Sequence, residues 1–198
     1  MRLNKIFINK DVNESGIYIV NFTLGGDNYK VLVDAYFPYW EKKGKPAFSQ
    51  SKGNELWVML LEKAWAKVNG NYENSIKGFV SEAFRALTGA PVVFFKHLYI
   101  QDIWDEIYEA DQRSYIIWAS SGEGQLNKKR YDEMGLISEH AYAVISAIVI
   151  KVDQDSGEEV RLLKLRNPWG HKEWLGRWSD SSELWTDELR KQCNWEEK

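Results

Sequence analysis

The sequence predicts an α+β fold, and three observations carry that prediction. A glycine-centred hairpin opens the chain. A central block repeats its apolar residues at helical spacing. Two long β-rich runs follow residue 140, with a polar loop between them.

Taken in order, residues 16–24 and 29–37 are β-rich and flank Gly25-Gly26-Asp27-Asn28, which predicts a hairpin whose second strand ends at Pro38. Between 55 and 68, the residues Leu56, Trp57, Leu60, Leu61, Ala64, Trp65 and Val68 recur at helical spacing. Asn54 is the expected N-cap and Gly70 the expected C-cap. A shorter helix is expected over 81–87, stopped by Gly89 and Pro91. A third is expected over 102–110, where Ile103, Trp104 and Ile107 make one apolar face among acidic residues. The apolar run 115–119 suits a buried strand, and the stretch through Gly122, Gly124 and Lys128-Lys129-Arg130 reads as a polar loop. Residues 140–152 and 160–166 form the strands of a second hairpin around the loop 153–159. No repeat or low-complexity tract interrupts this order, and a lobe boundary is expected near Gly78.

Composition narrows the function. A chain of 198 residues holds one sizeable core or two small lobes, and its 44% apolar and 28% charged content is that of a soluble globular protein. With 26 Lys+Arg against 29 Asp+Glu, the net charge of -3 gives no general pull toward nucleic acid or an anionic membrane. No apolar stretch approaches a signal peptide or the roughly 20 residues of a transmembrane helix, so no membrane insertion and a cytoplasmic location are expected. The single cysteine cannot form an internal disulfide, which fits a reducing compartment. Tryptophan is the outlier. There are ten, and Trp169, Trp174, Trp178 and Trp185 crowd one short segment.

Two residues could carry chemistry together. His140 and Asn167 stand at the outer ends of the two late strands, which antiparallel pairing brings to one edge of a sheet. The two arms differ in length, so a bulge or an uneven loop must absorb the difference. An asparagine oxygen can accept a hydrogen bond from one imidazole nitrogen, fix the tautomer, and leave the other nitrogen to take a proton from a nucleophile. Pro168 disfavours the helical region at Asn167 and holds it extended, and Trp169 could cover the pair and exclude water. The plain alternative is a strand ending in a proline-glycine turn with a packed tryptophan.

At this point the chain resembles the calpains, which are papain-like cysteine peptidases. The resemblance rests on Gly135-Leu136 with His140-Ala141-Tyr142-Ala143-Val144, on Leu165-Arg166-Asn167-Pro168-Trp169-Gly170, and on Glu173-Trp174-Leu175-Gly176-Arg177-Trp178-Ser179-Asp180. Upstream it extends to Gly53-Asn54-Glu55-Leu56-Trp57, Leu61-Glu62-Lys63-Ala64-Trp65-Ala66-Lys67, Gly78-Phe79 and Leu87-Thr88-Gly89, in the family's order. It implies a papain-like core: the C-terminal part of the first lobe over 1–78, and over 79–198 the mainly antiparallel β second lobe. It also implies His140 as the catalytic histidine, Asn167 as its orienting partner, Trp169 as the tryptophan beside them, and protein substrates.

The family's nucleophile lies in a Gly-x-Cys-Trp segment ahead of the histidine, and residues 1–139 contain no cysteine. Cys193 follows the asparagine, out of family order, so this chain is expected to be inactive by itself and to need a missing first-lobe segment or other calpain domains as partners. The resemblance also implies calcium (Ca2+) as cofactor, with Glu173 and Asp180 matching two acidic ligands of the second-lobe site. Two carboxylates are too few for an ion that takes six to eight oxygens, so an incomplete site is expected. The loop 153–157 places its glycine one position early for an EF-hand and reads as a turn. His97 and His171 have no partners at metal-ligand spacing and are expected to be surface or packing residues. The rival to the peptidase is a calpain-like interaction module whose tryptophans pack or bind peptides without turnover.

Overall fold

The computed structural model describes residues 5–51, 53–96, 103–122, 128–153 and 157–195. His97 and Gly124 lie outside the described residues, as does part of the 153–159 loop. The chain divides into two compact units between Phe94 and Phe95.

In the first unit, β1 (Ile17–Leu24) and β2 (Asp27–Asp34) pair antiparallel, with Leu24 opposite Asp27. Gly25 and Gly26 alone form the turn, with φ of 62° and 97°. Two consecutive positive φ values make the tight hairpin turn that matches strand twist, so the expected four-residue loop contracts to two. β2 stops at Asp34, short of the expected 37. The Asp34 carboxylate accepts the Tyr36 N–H at 2.8 Å and meets Lys63 Nζ at 2.5 Å, which turns the chain out of the sheet.

Tyr18, Val20 and Phe22 alternate inward on β1 against Val31 and Val33 of β2. Helix α1 (Trp57–Val68) lays Leu60 and Ala64 on that face, and Trp65 meets Phe22 edge-on with centroids 5.6 Å apart. Asn54 does not cap α1: Leu56 holds that position and no side chain caps it. At the other end Asn69 takes the place expected for Gly70, and its side-chain amide donates to the Trp65 carbonyl at 2.8 Å. Helix α2 (Val80–Thr88) packs Ala86 into the same core, against β1. That packing puts the unit boundary beyond the one expected near Gly78. The two-residue strands β3 (Tyr39–Trp40) and β4 (Lys45–Pro46) are too short to show a period in sequence.

The second unit is a three-stranded antiparallel sheet ordered β5 (Ile117–Ser121), β6 (His140–Lys151), β7 (Glu159–Arg166). Helix α3 (Trp104–Gln112) packs on β5 and β6. β5 begins and ends two residues later than 115–119, because Ser121 pairs with His140 and carries the strand to its end. The expected polar loop after it contains a helix, α4 (Lys128–Glu133), with Tyr131 as its buried residue. The last helix, α5 (Asp187–Gln192), is capped by Thr186, whose hydroxyl accepts the Leu189 N–H at 3.2 Å. Both are six residues long, too short to display helical periodicity. Leu189 and Cys193 close a second core on Ile150, with Trp178 and Trp185 packed around it. Two of the four clustered tryptophans are thereby accounted for as packing.

The β6–β7 register changes within the sheet. Ser146 through Lys151 pair with Lys164 back to Glu159, whereas Val144 and Ala143 pair with Leu165 and Arg166. Ile145 is the extra residue, a β-bulge in the position the unequal arms require.

Candidate active site

The bulge decides which way the end of β7 faces. Opposed residues in an antiparallel pair point to the same side, and side chains alternate along each strand. Carried one residue past Ala143↔Arg166, the register sets Asn167 opposite Tyr142, two positions from His140 and on its face. Without the extra residue Asn167 would stand opposite Ala143 and face away. His140 and Tyr142 do share a face, their rings edge-on at 5.0 Å.

On that face His140 Nε2 and Asn167 Oδ1 lie 3.0 Å apart. The direction of this bond follows from the other atoms of the carboxamide. Asn167 Nδ2 donates to the carbonyls of His171 (2.5 Å) and Lys172 (3.1 Å), so the oxygen must face the ring. Oδ1 also accepts the Trp169 N–H at 3.0 Å, which uses both of its lone pairs. A carboxamide oxygen cannot donate, so Nε2 carries the proton. The neutral ring then keeps its lone pair on Nδ1, which has no hydrogen-bond partner among the described residues.

The backbone of His140 is fixed as well. Its N–H donates to Ser121 Oγ at 3.0 Å, and that hydroxyl donates to the Ile137 carbonyl at 2.5 Å. The Ile137 N–H in turn donates to the Tyr142 hydroxyl at 2.9 Å. His140 is 9% exposed, while Trp169 is 60% exposed with its ring 4.6 Å from the imidazole. Trp169 therefore shields one side of the hydrogen-bonded pair while presenting its outer surface to solvent.

His171 stacks on Trp169 at 5.7 Å, and its Nδ1 lies 3.1 Å from the Trp169 carbonyl. Its role in the site is through its backbone carbonyl, a contact no residue pattern announces. Ser121 and the Lys172 carbonyl are the other contributors that sequence reasoning did not find. The match of Ser121 to His140 in the sheet is the signal that could have found the first.

Cys193 is not part of this site. It packs on Ile150, and ten residues of strand at about 3.3 Å each separate Ile150 from His140, a span of about 30 Å. Burial also pushes the Cys193 thiol above its ordinary pKa, the reverse of what a nucleophile needs.

Glu173 and Asp180 are both exposed. Among the described residues no group of three or more His, Cys, Asp or Glu side chains is placed to hold a metal ion. Two exposed carboxylates do not fit a calcium ion by themselves, and no step below is routed through one.

The complete chain, residues 1–198, matches the family described as calpain family cysteine protease. It is 36% identical over 199 residues to the calpain-type cysteine protease DEK1 of Arabidopsis thaliana, covering 96% of this chain and 9% of that protein. It is 36% identical over 176 residues to the calpain-1 catalytic subunit of Homo sapiens, covering 87% of this chain and 24% of that subunit. The chain thus spans about a tenth to a quarter of the length of these relatives. It belongs to the calpain family of cysteine proteases.

Proposed function

We propose that this chain supplies the histidine and asparagine of a calpain-type cysteine endopeptidase, acting on protein substrates, with the nucleophilic thiol supplied by polypeptide outside these 198 residues. In this reading the first compact unit, through Phe94, is the tail of a papain-like first lobe, and the second unit, from Phe95, is the second lobe. The observation that carries it is the 3.0 Å bond from His140 Nε2 to an Asn167 oxygen whose orientation two carbonyls enforce.

The chemistry follows from that tautomer. His140 Nδ1 takes the proton of a thiol brought within hydrogen-bond reach, and the imidazolium formed keeps its Nε2–H on Asn167. The thiolate attacks the peptide carbonyl, and Nδ1 returns the proton to the departing amine. Trp169 limits access of water to the His140–Asn167 bond, which strengthens it. With no thiol near Nδ1 in this chain, no acyl-enzyme forms and the chain alone is inactive. Calcium enters only as a property of a whole enzyme, in which Glu173 and Asp180 would supply two of the oxygens.

The test is complementation. The chain is joined to a first-lobe segment of a calpain relative that carries the Gly-x-Cys-Trp motif, and release of fluorescent peptides from an unfolded protein substrate is followed. Turnover is expected for the joined protein and not for the chain alone or for the joined His140→Ala variant. Turnover by the chain alone, or its persistence in the His140→Ala variant, would overturn the assignment. Binding of the unfolded substrate by a folded joined protein without turnover would favour the interaction module.

A further inference from the structure

The two carbonyls that orient Asn167 belong to a strained loop. Lys172 adopts a left-handed backbone at φ 63°, which is unfavourable for a residue with a Cβ and persists only where the surroundings enforce it. The enforcing surface is the turn that follows α4. Gly135, itself at φ 74°, lies so close to the loop that a Cβ placed on it would stand 1.8 Å from the Glu173 carbonyl oxygen and 2.9 Å from the Leu175 side chain. The Leu175 N–H donates to the Met134 carbonyl at 3.1 Å, and Lys172 Nζ meets Asp132 Oδ1 at 2.5 Å. The last contact is the weakest of these supports, since both side chains are 44% exposed.

We infer that Gly135, seconded by Asp132, is a positioning residue for His140: by seating the 171–173 loop it fixes the Asn167 carboxamide and hence which imidazole nitrogen holds the proton. This rests on reading His140 and Asn167 as the working pair. Any side chain at 135 must drive the Glu173 carbonyl back by more than an ångström. The acceptors of the 2.5 and 3.1 Å bonds from Asn167 Nδ2, on His171 and Lys172, immediately precede Glu173, and a loop shift of that size takes them out of hydrogen-bond geometry. The Trp169 N–H alone then holds the carboxamide, and turning over to present its NH2 to the ring is no longer opposed by the two carbonyls. Nε2 becomes an acceptor, the proton moves to Nδ1, and the base is lost with every catalytic side chain still present.

The test needs no turnover. The 198-residue protein is labelled with 15N-histidine, and long-range 1H–15N correlation spectra at mildly alkaline pH report the tautomer of His140. The native protein is expected to show a protonated Nε2 and a bare Nδ1. In Gly135→Ala the two nitrogen shifts should move together or exchange. Gly157→Ala carries the same left-handed backbone penalty, at φ 70° with nothing within 4 Å, and should keep the native pattern. Should Gly135→Ala not fold, Asp132→Lys repels Lys172 from the same turn and is expected to populate the Nδ1-protonated ring. A native pattern in folded Gly135→Ala, or in Asp132→Lys where that variant must stand in, overturns the inference. A protonated Nδ1 in the native protein would instead sink the pairing of His140 with Asn167.

Discussion

Asn167 reaches His140 because β6 carries one residue more than β7 between their paired ends. Ile145 has no partner in β7, and from that point the register places Asn167 opposite Tyr142, on the His140 face, where Oδ1 meets Nε2 at 3.0 Å. A single-residue slip in an antiparallel pair exchanges the two faces, so this one insertion separates an Asn167 that shares the His140 face from one that points away.

Deleting Ile145 tests that relationship directly. Ile145 is 48% exposed, so its loss removes little buried surface. The sheet is expected to re-form with one continuous register and with Asn167 turned away from His140. Circular dichroism should be little changed while the 15N spectrum of His140 loses its single tautomer. A native His140 spectrum in the folded deletion variant would show that the bulge is not what turns Asn167.

Asn167→Ala should destabilise the protein by more than a surface substitution does. It removes at once the acceptor of the His140 and Trp169 N–H groups and the donor to two carbonyls. The His140 bond is part-buried and the other three are exposed, so the loss lies at the low end of the about 1–3 kcal/mol that orphaned buried groups cost. In a chain of this size that is a fall in Tm of several degrees, measurable by calorimetry. A change below one degree would mean that water replaces the carboxamide without penalty.

Acid should open two contacts together. The hydrogen bond from Lys63 holds Asp34 below its ordinary carboxylate pKa, and the hydrogen bond from Lys172 does the same for Asp132. A folded pKa below the unfolded one gives stability that is present above the unfolded value and lost as pH falls through the folded value. Both contributions are therefore complete at neutral pH, begin to fall near the ordinary carboxylate value of about 4, and are lost once pH drops below the lowered folded values. In Asp34→Asn and Asp132→Asn the melting temperature should depend less on pH in that acidic window. A dependence identical to the native protein would show that these pairs do not contribute. Both carboxylates are exposed, so the effect should shrink in high salt.

Cys193 should behave as a packing residue. Its thiol is buried against Ile150 and Leu189 and its pKa is raised by desolvation. Alkylation should be slow in the folded protein and fast in denaturant, and Cys193→Ala should leave the His140 spectrum unchanged. Cys193→Ser buries a hydroxyl in an apolar cluster and is expected to cost about 1–3 kcal/mol. Rapid alkylation of the native protein would contradict this packing.

Much of this molecule was legible from residue order. The glycine pair at 25–26, the helical spacing from Leu56 to Val68 and the two β-rich runs after His140 each signal their element, because local backbone preference and burial agree there. Where they disagree the reading failed. Six-residue helices at 128–133 and 187–192 bury one residue each and leave no periodic trace, and Asn54 has the right chemistry for a cap on a helix that begins later.

The sequence alone determined the family, the α+β class and the identity of His140, Asn167 and Trp169 as the residues to examine, since their types and neighbours are written in the chain. Tertiary structure decided how they are arranged. The face on which Asn167 lies depends on a bulge, and its orientation depends on two backbone carbonyls seated over Gly135. Register and carbonyl direction belong to the pairing of distant segments, and no side chain encodes them locally.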